Sequence, residues 1–236
     1  MTKKHLKRHK TPKTWPIIRK KSVFITRPLP GAHPLRKGMS IASILIEILK
    51  VADTCKDVKY ILNNRNILIN KKRIKNHRYI AGLLDTVTLE ETKQSYRVVL
   101  DKKGKLNLMK INEKEANLIL CKIMGKTLRK GGKMQLNLDS GRNIITNENY
   151  GVGNALLIRV PKQEIADQAK LEKNSHIYLT SGRYVGTVAI VKDISQKNIA
   201  FSPLGSDDTY ETLKEYAYPI GKKPLISVTD EPKPGN

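Results

Sequence analysis

The first 46 residues carry twelve Lys and Arg side chains and no Asp or Glu. Five prolines lie in the same stretch, and because proline fixes the backbone and removes a hydrogen-bond donor, long helices or strands are excluded there. Like charges without counter-charges also oppose compact folding. We therefore predict that residues 1–40 form a basic, irregular extension that buries no core and becomes ordered only on a polyanion. A solvated tail or a localisation signal is the alternative.

The whole chain has the same bias, because 45 basic and 21 acidic residues give a net charge of +24 over 236 residues. Such self-repulsion destabilises a compact state unless a polyanion neutralises it. Nucleic acid is the first candidate partner and an anionic membrane surface the second. The densest apolar run, residues 41–49, contains Glu47 and is shorter than the ~20 residues that span a bilayer, so no membrane partner is expected. The basic N-terminus is not followed by an apolar core, which favours a cytoplasmic protein without a secretory signal.

Residues that could support catalysis or bind a metal are few and scattered. Cys55 and Cys121 are far apart and belong to no C-x-x-C pair, so we predict two reduced thiols and no zinc site. His5 and His9 lie in the basic extension, where neighbouring cations would repel a metal ion. No phosphate-binding loop motif of the G-x-x-x-x-G-K-[ST] type occurs. We therefore expect no metal, no cofactor and no enzymatic activity.

After the extension, the apolar spacing predicts an α+β multidomain fold that begins with two short helices. Ser40 can cap the first helix, because apolar residues between 41 and 49 recur at helical spacing. Thr54 or Asp53 can cap the second. A hairpin with an Asn-Lys-Lys tip follows the helices, and further strands follow the hairpin. The strands predicted here comprise residues 67–69, 73–74, 86–89 and 96–100.

Short strands separated by Gly, Asn and Asp predict a small central domain of mixed β structure. Asn112 is a potential cap, and four apolar residues after it could line one face of a helix over 112–125. The strands predicted at 176–179 and 187–191 resemble the first two of a small five-stranded barrel. The predicted domains are a basic N-terminal extension (1–40), a helix-pair and hairpin module (41–105), a central mixed β domain (106–170), a small barrel (171–205) and a C-terminal segment (206–236).

Three clusters are predicted to bind RNA. In the extension, Trp15 could stack on an unpaired base, although an anchor packed on its own domain is an equal alternative. Around the hairpin no acidic residue interrupts the cations, and solvated charge is the alternative. In the loop at 181–186 the glycines allow close backbone approach, and a simple tight loop is the alternative. The residues assigned to RNA are Lys3, Lys4, Lys7, Arg8, Lys10, Lys13, Trp15, Arg19, Lys20, Lys21, Arg36 and Lys37 in the extension, Arg65, Lys71, Lys72, Arg73, Lys75 and Arg78 at the hairpin, and Gly182, Arg183 and Gly186 in the loop.

Several short motifs, taken together, resemble one known family. The motifs are Lys3-Lys4-His5-Leu6-Lys7-Arg8, Pro12-Lys13-x-Trp15, Arg27-Pro28, Gly31-x-His33-x-Leu35-Arg36, Ile69-Asn70-Lys71-Lys72, Tyr79-x-Ala81-Gly82-x-x-Asp85, the KOW-like segment 179–191, and the ending at 220–227. They resemble the archaeal and eukaryotic type of small-subunit ribosomal protein number four. Three positions depart from the family's pattern, with Lys71 in place of Gly, Ile80 in place of Pro, and Ala189 in place of the third KOW glycine.

The resemblance implies a structural constituent of the small ribosomal subunit that binds small-subunit rRNA beside neighbouring ribosomal proteins, with no catalytic residues. It also implies a helix-pair and hairpin module, shared with bacterial ribosomal protein number four and some pseudouridine synthases, and an SH3-like KOW barrel. No homo-oligomer is expected. The alternatives are a free RNA-modifying enzyme and a KOW-type translation or transcription factor that uses the same RNA-binding module.

Overall fold

The computed structural model describes residues 5–206 and 208–228, which form two compact units. One unit comprises the described residues up to Val99 together with Lys105–Ala116, and the other comprises Leu100–Gly104 together with those from Asn117 onward. Most of the regular structure is β, with two short helices, which is compatible with an α+β fold.

The first unit begins with short strands and two capped helices. Its first strands are β1 (Leu6–Lys7), β2 (Phe24–Ile25) and β3 (Gly38–Ser40). Ser40 caps α1 (Ile41–Ser43) by accepting a hydrogen bond from Ser43 N at 3.2 Å, and a π-helical turn continues through Ile44–Ile48. Thr54 caps α2 (Cys55–Asn64) in a reciprocal capping box with Asp57. Both predicted helix starts are confirmed.

A five-stranded sheet completes the first unit. The remaining strands are β4 (Ile67–Ile69), β5 (Lys72–Arg73), β6 (Ile80–Gly82), β7 (Thr86–Leu89), β8 (Gln94–Leu100) and β9 (Leu106–Ile111). The sheet order is β5-β4-β7-β8-β9, while β3 pairs with β6 outside it. The hairpin of β4 and β5 is confirmed, with Ile69 opposite Lys72. Strand β9, predicted within the central domain, is instead an edge of this first sheet.

The prediction that residues 1–40 bury no core is wrong for the part that the structure describes. Trp15 is 1% exposed, and Arg8, His33 and Met39 are also buried. Strand β3 contributes to the core, because all three of its residues are buried against the rest of the unit. The physical reason is that a segment too charged to form its own core can still insert single side chains into the core of a neighbouring element.

The second unit contains two five-stranded antiparallel sheets. The strands are β10 (Leu118–Leu128), β11 (Met134–Leu138), β12 (Asn143–Thr146), β13 (Ala155–Arg159), β14 (Glu164–Ala169), β15 (His176–Leu179), β16 (Val188–Ile194), β17 (Asn198–Pro203), β18 (Tyr210–Leu213) and β19 (Ala217–Gly221). One sheet has the order β12-β11-β10-β13-β14 and the other has β18-β17-β16-β15-β19. Each covers its own cluster of buried apolar side chains.

Two expectations change in this unit. The helix predicted over 112–125 is wrong, because a single 3-10 turn at Glu115–Asn117 leads directly into β10. Burial of nearly every side chain between Leu118 and Ile123 removes the alternation that would have marked a strand. The sheet predicted within 171–205 also takes its last two strands, β18 and β19, from the predicted C-terminal segment.

Candidate nucleic-acid interface

The β4–β5 hairpin turns through two residues that both have left-handed backbones. Asn70 has φ 51° and Lys71 has φ 61°, as a type I′ turn requires. Asparagine tolerates this conformation well, whereas lysine has a Cβ that opposes it. The turn therefore presents Lys71, Lys72 and Arg73 at the tip of the hairpin, with Lys72 and Arg73 exposed and Lys71 half-buried.

A buried polar network fixes the base of this turn. Asp85 accepts hydrogen bonds from Asn70 Nδ2 at 2.7 Å and from Gly82 N at 2.8 Å, and its Oδ2 lies 2.9 Å from His33 Nε2. Asn70 in turn accepts from Thr86 N at 2.9 Å. The network thus links the N-terminal segment, the hairpin turn and β7. Asp85 therefore has a structural role in this network.

Burial alone would raise the pKa of Asp85, but the charge and hydrogen bond of His33, with those from Asn70 and Gly82, hold that pKa below its ordinary value. Gly82 is required for this arrangement, because a Cβ at that position would overlap the His33 imidazole. The carboxylate is therefore an internal counter-charge beneath the hairpin and is 3% exposed. It does not neutralise the cations on the surface.

Other acidic residues of the first unit are used internally in the same way. Glu47 Oε1 accepts from buried Arg8 at 2.8 Å, and Glu115 pairs with fully buried Arg97 at 3.4 Å. Burial lowers the pKa of Arg97 to about 10, an effect that Glu115 partly offsets. Because Glu47, Asp85 and Glu115 face inward, they do not act as counter-charges for the exposed cations of the unit.

Many of the exposed cations of this unit belong to two predicted clusters, one on the N-terminal segment (residues 5–40) and one around the hairpin. The exposed members are Lys7, Lys10, Lys13, Arg19, Lys20, Lys21, Arg36, Lys37, Lys72, Arg73 and Lys75. Among residues 5–206 and 208–228, none of these pairs with a carboxylate within 4.0 Å. Arg65 differs, because it pairs with Glu91 at 3.1 Å on the surface.

The surroundings of His77, which follows the hairpin, are also positively charged. The pKa of His77 is lowered first by partial burial and then by the positive charges of Lys59 and Arg78. Arg78 is half-buried, and its Nε donates to Arg27 O at 3.0 Å, which brings the N-terminal segment beside the hairpin region. The structure thus places two of the three predicted clusters in one unit, with most of the described cations of both exposed.

Two residues assigned to RNA in the extension have internal roles instead. Trp15 Nε1 donates to Leu35 O and Gly38 O, each at 3.1 Å, and no face of its ring is available to a base. The anchoring alternative is therefore confirmed for Trp15 and the stacking prediction is wrong. Arg8 is 5% exposed and donates to Ser22 Oγ, Ile18 O and Glu47, so it cannot contact a phosphate.

Arg19 has a structural role within the N-terminal segment and is also exposed. Its guanidinium donates to His9 O at 2.9 Å and to Thr11 O at 3.4 Å, which closes a loop of the N-terminal segment, yet the residue remains exposed. Lys3 and Lys4, which were assigned to RNA as well, lie outside the described residues.

The third cluster divides into exposed and buried positions. Gly182 and Arg183 are exposed, and the Arg183 guanidinium carbon lies 5.9 Å from the Tyr184 ring centroid. Gly186 is buried with φ 78°, and a Cβ there would lie 2.6 Å from Asp101 O. Gly186 therefore permits close packing of two backbone segments, and its assignment to RNA is wrong.

Sequence patterns did not predict the contacts between several of the residues that support this surface. His33 and Asp85 are 52 positions apart in the chain, and Arg97 is a single cation within β8, 18 positions before its partner Glu115. Within the described part of the chain, no helix has the length and apolar character of a transmembrane segment. The same residues bring together no group of three His, Cys, Asp or Glu side chains that could hold a metal ion.

Comparisons with known proteins agree with this geometry. The sequence model of the Ribosomal family S4e matches residues 92–165, and that of the RS4NT (NUC023) domain matches residues 2–36. Small ribosomal subunit protein eS4 of Methanosphaera stadtmanae is 37% identical over 235 residues, covering 98% of both chains. The chain belongs to the S4e family of ribosomal proteins. The eS4 protein of Methanocaldococcus jannaschii is 34% identical over 96% of this chain and 98% of its own.

A solved S4e structure shows the same fold. The crystal structure of the 30S ribosomal protein S4e from Thermoplasma acidophilum aligns with a TM-score of 0.68 at 26% sequence identity. The alignment covers 78% of this chain and 95% of that one. Membership of the S4e family therefore rests on both sequence and structure over most of the chain.

Proposed function

We propose that this protein is a structural constituent of the small ribosomal subunit that binds small-subunit rRNA through the exposed cations of its first unit. The observation that carries the proposal is the set of Lys and Arg side chains around the hairpin and the N-terminal segment that have no carboxylate within 4.0 Å in the described part of the chain. The protein is not an enzyme, since S4e proteins are ribosomal constituents. Its location is the small ribosomal subunit, where neighbouring ribosomal proteins are further partners.

Lysine and arginine side chains at these positions contact phosphates, which fix the position of the protein without reading the base sequence. Specificity then comes from the shape of the folded RNA, because a side chain cannot read the narrow major groove of an RNA helix. Helices α1 and α2 with the β4–β5 hairpin act as the RNA-binding module that S4e shares with bacterial ribosomal protein number four. The sheet β15–β19 acts as an SH3-like KOW barrel, and Arg183 on its exposed loop adds a phosphate contact.

The salt dependence of binding tests the hairpin directly. With about six to ten phosphate contacts, the logarithm of the affinity for an rRNA fragment should fall with the logarithm of the salt concentration at a slope of about −4 to −7. Replacing Lys72, Arg73 and Lys75 by glutamine should make the slope less steep by about 2, since each lost contact contributes ~0.7. Fluorescence anisotropy over a series of KCl concentrations measures both slopes.

A matched variant controls for the loss of net charge. Lys162, Lys192 and Lys197 are exposed in the second unit and belong to none of the three clusters. Replacing these three by glutamine should leave the slope close to that of the wild type. Equal slopes for the wild type and the hairpin variant would contradict the proposed role of the hairpin.

A sedimentation experiment distinguishes a subunit protein from a factor with the same module. A constituent of the small subunit should remain with the particle in a sucrose gradient at high salt, whereas a transient translation or transcription factor should wash off. An RNA-modifying enzyme would instead change nucleotides in bulk tRNA or rRNA, which nucleoside analysis after incubation would detect.

A further inference from the structure

In the sheet β12-β11-β10-β13-β14, the two edge strands line an acidic groove, although the protein as a whole is strongly basic. A cavity of about 560 Å³ lies between β12 and β14, and Glu148, Glu164 and Asp167 line it together with Ile144 and Ile165. None of the described residues that line it is Lys or Arg. A chain with a net charge of +24 has here a local surface of the opposite sign.

The cavity follows the strand edges and not one face of the sheet. Six consecutive residues, from Gln163 to Gln168, line it on the β14 side, and Ile144, Ile145 and Thr146 line it on the β12 side. Because successive side chains of a strand point to opposite faces, consecutive lining residues place the cavity along the edge. Within the described chain, β12 and β14 each pair with a neighbouring strand along one side only.

The strand directions determine what can occupy this gap. All neighbouring strands in the sheet β12-β11-β10-β13-β14 are antiparallel. With five strands, its two edge strands β12 and β14 therefore run in the same direction. One additional strand running the opposite way can pair in antiparallel fashion with both edges. Such strand addition uses backbone hydrogen bonds for affinity and side-chain pockets for specificity.

We propose that this groove binds an extended, Lys- and Arg-rich polypeptide segment of another protein as a sixth antiparallel strand. The carboxylates of Glu148, Glu164 and Asp167 attract the basic side chains, while half-buried Ile144 and Ile165 contact the alternate, apolar ones. RNA is disfavoured as the occupant, because these carboxylates would repel phosphates. Since the groove uses none of the cations assigned to rRNA, the proposal stands or falls independently of rRNA binding.

Charged residues on an edge strand can also serve only to prevent edge-to-edge aggregation. Strand β14 has a bulge opposite the step from Leu157 to Ile158, and bulges serve the same purpose. An edge that merely blocks pairing should bind no peptide. An edge that accepts a strand should gain hydrogen-exchange protection when a suitable peptide is added, and this difference decides between the two roles.

The experiment uses the full-length, RNA-free protein and a fluorescein-labelled octapeptide of alternating lysine and valine. Fluorescence anisotropy should show saturable binding, and hydrogen-exchange mass spectrometry should show new protection in β12 and β14. Replacing Glu164 by Gln and Asp167 by Asn should weaken binding about fivefold, because two attractive rim charges are lost. A control in which Glu90 and Glu113 are replaced by Gln has the same charge change on exposed residues of the first unit, and should bind as the wild type does.

A second peptide tests the backbone pairing on the unaltered protein. N-methylation of alternate amides removes hydrogen-bond donors but keeps every charge, so this peptide should give no protection. Three results would overturn the proposal: no protection with either peptide, protection that rises with protein concentration in the absence of peptide, or protection produced by polyuridylate. The first would leave the acidic residues as edge protection, the second would indicate a second copy of the chain, and the third would indicate RNA.

Discussion

At the residue scale, a buried carboxylate determines the conformation of the hairpin without reaching its surface. Asp85 receives hydrogen bonds or charge from His33, Asn70 and Gly82, and these groups come from three different segments of the first unit. Removing one member of a buried, hydrogen-bonded pair leaves an uncompensated polar group in a low-dielectric interior. The binding surface of the hairpin therefore depends on residues that cannot contact RNA themselves.

Replacing Asp85 by Asn should destabilise the protein by about 3 kcal/mol at neutral pH, since His33, Asn70 and Gly82 N lose the buried carboxylate that they contact. The folded-state pKa of Asp85 lies below its ordinary value of 3.8, so its stabilisation is complete above that value and is lost as the pH falls through the lowered pKa. The variant should lack this part of the acid-induced loss of stability. Urea unfolding followed by circular dichroism over a series of acidic pH values measures both effects.

The control replaces Asp53 by Asn, because that carboxylate is exposed. It should change the unfolding free energy by no more than about 0.5 kcal/mol. If the Asp85 variant retained wild-type stability and the same acid dependence, the hydrogen-bond network around Asp85 would not be what stabilises the hairpin.

At the element scale, the hairpin turn shows a conflict between backbone preference and charge. Lys71 has φ 61°, where an L-residue is disfavoured by about 1–2 kcal/mol and glycine is not. The resemblance to the S4e family places glycine at this position. Lysine in its place adds backbone strain and also adds one more cation at the hairpin tip. Stability and RNA affinity should therefore respond in opposite directions to a change at this residue.

Replacing Lys71 by Gly should raise the free energy of unfolding by about 0.5–1 kcal/mol, because the left-handed strain is relieved. The same change should weaken binding to rRNA fragments and reduce the salt slope by about 0.7, which corresponds to one phosphate contact. Replacing Lys72 by Gly removes the same charge from an ordinary strand conformation, and should lower stability instead. Thermal unfolding measures the stability of both variants, and anisotropy titrations measure their affinity for RNA. A change of stability in the same direction for the Lys71 and Lys72 variants would contradict this interpretation.

Elements with a local sequence signal could be predicted, and those defined by distant partners could not. The cap at Ser40, the cap at Thr54 (one of two candidates) and the hairpin itself depend on neighbours within a few positions, and each was predicted. The turn of the hairpin is shorter than the predicted Asn-Lys-Lys tip, because Lys72 already pairs with Ile69. The prediction of a helix over 112–125 was wrong because consecutive side chains of β10 from Ile119 to Ile123 are buried, so both faces of the strand are covered where it pairs with β11 and β13 along its edges. A run of buried apolar residues has no period that distinguishes the two structures.

The same limit explains the errors in the candidate site. Counting charges identified the exposed cations of the N-terminal segment and the hairpin, because most Lys and Arg side chains remain at the surface wherever the chain folds. It could not identify Arg8 and Trp15 as internal residues, since their partners at Glu47 and Gly38 are far along the chain. Gly186 was assigned to RNA for its small size, but the segment that needs this small size is the backbone at Asp101.

At the scale of the whole molecule, a buried ammonium group joins the two sheets of the second unit. Lys122 on β10 is 8% exposed, and its Nζ donates to Ala217 O at 2.6 Å, Glu215 O at 3.2 Å and Lys214 O at 3.3 Å. Tyr218 OH donates to Leu120 O at 2.9 Å in the same contact, and burial raises its pKa well above the ordinary value. The two sheets thus share polar contacts as well as chain connections.

Replacing Lys122 by Met should therefore destabilise the second unit as a whole. The methionine fills much of the same volume but leaves three carbonyl groups without their charged donor, at a cost of about 2–3 kcal/mol. Replacing Lys126 by Met removes an exposed hydrogen bond to Asn149, and should change stability by less than about 0.5 kcal/mol. In hydrogen exchange, the Lys122 variant should lose protection in β10 and β19 together, because the shared contact connects both sheets. Loss of protection in only one of these strands would show that the two sheets unfold independently, and the ammonium group would then have only a local role.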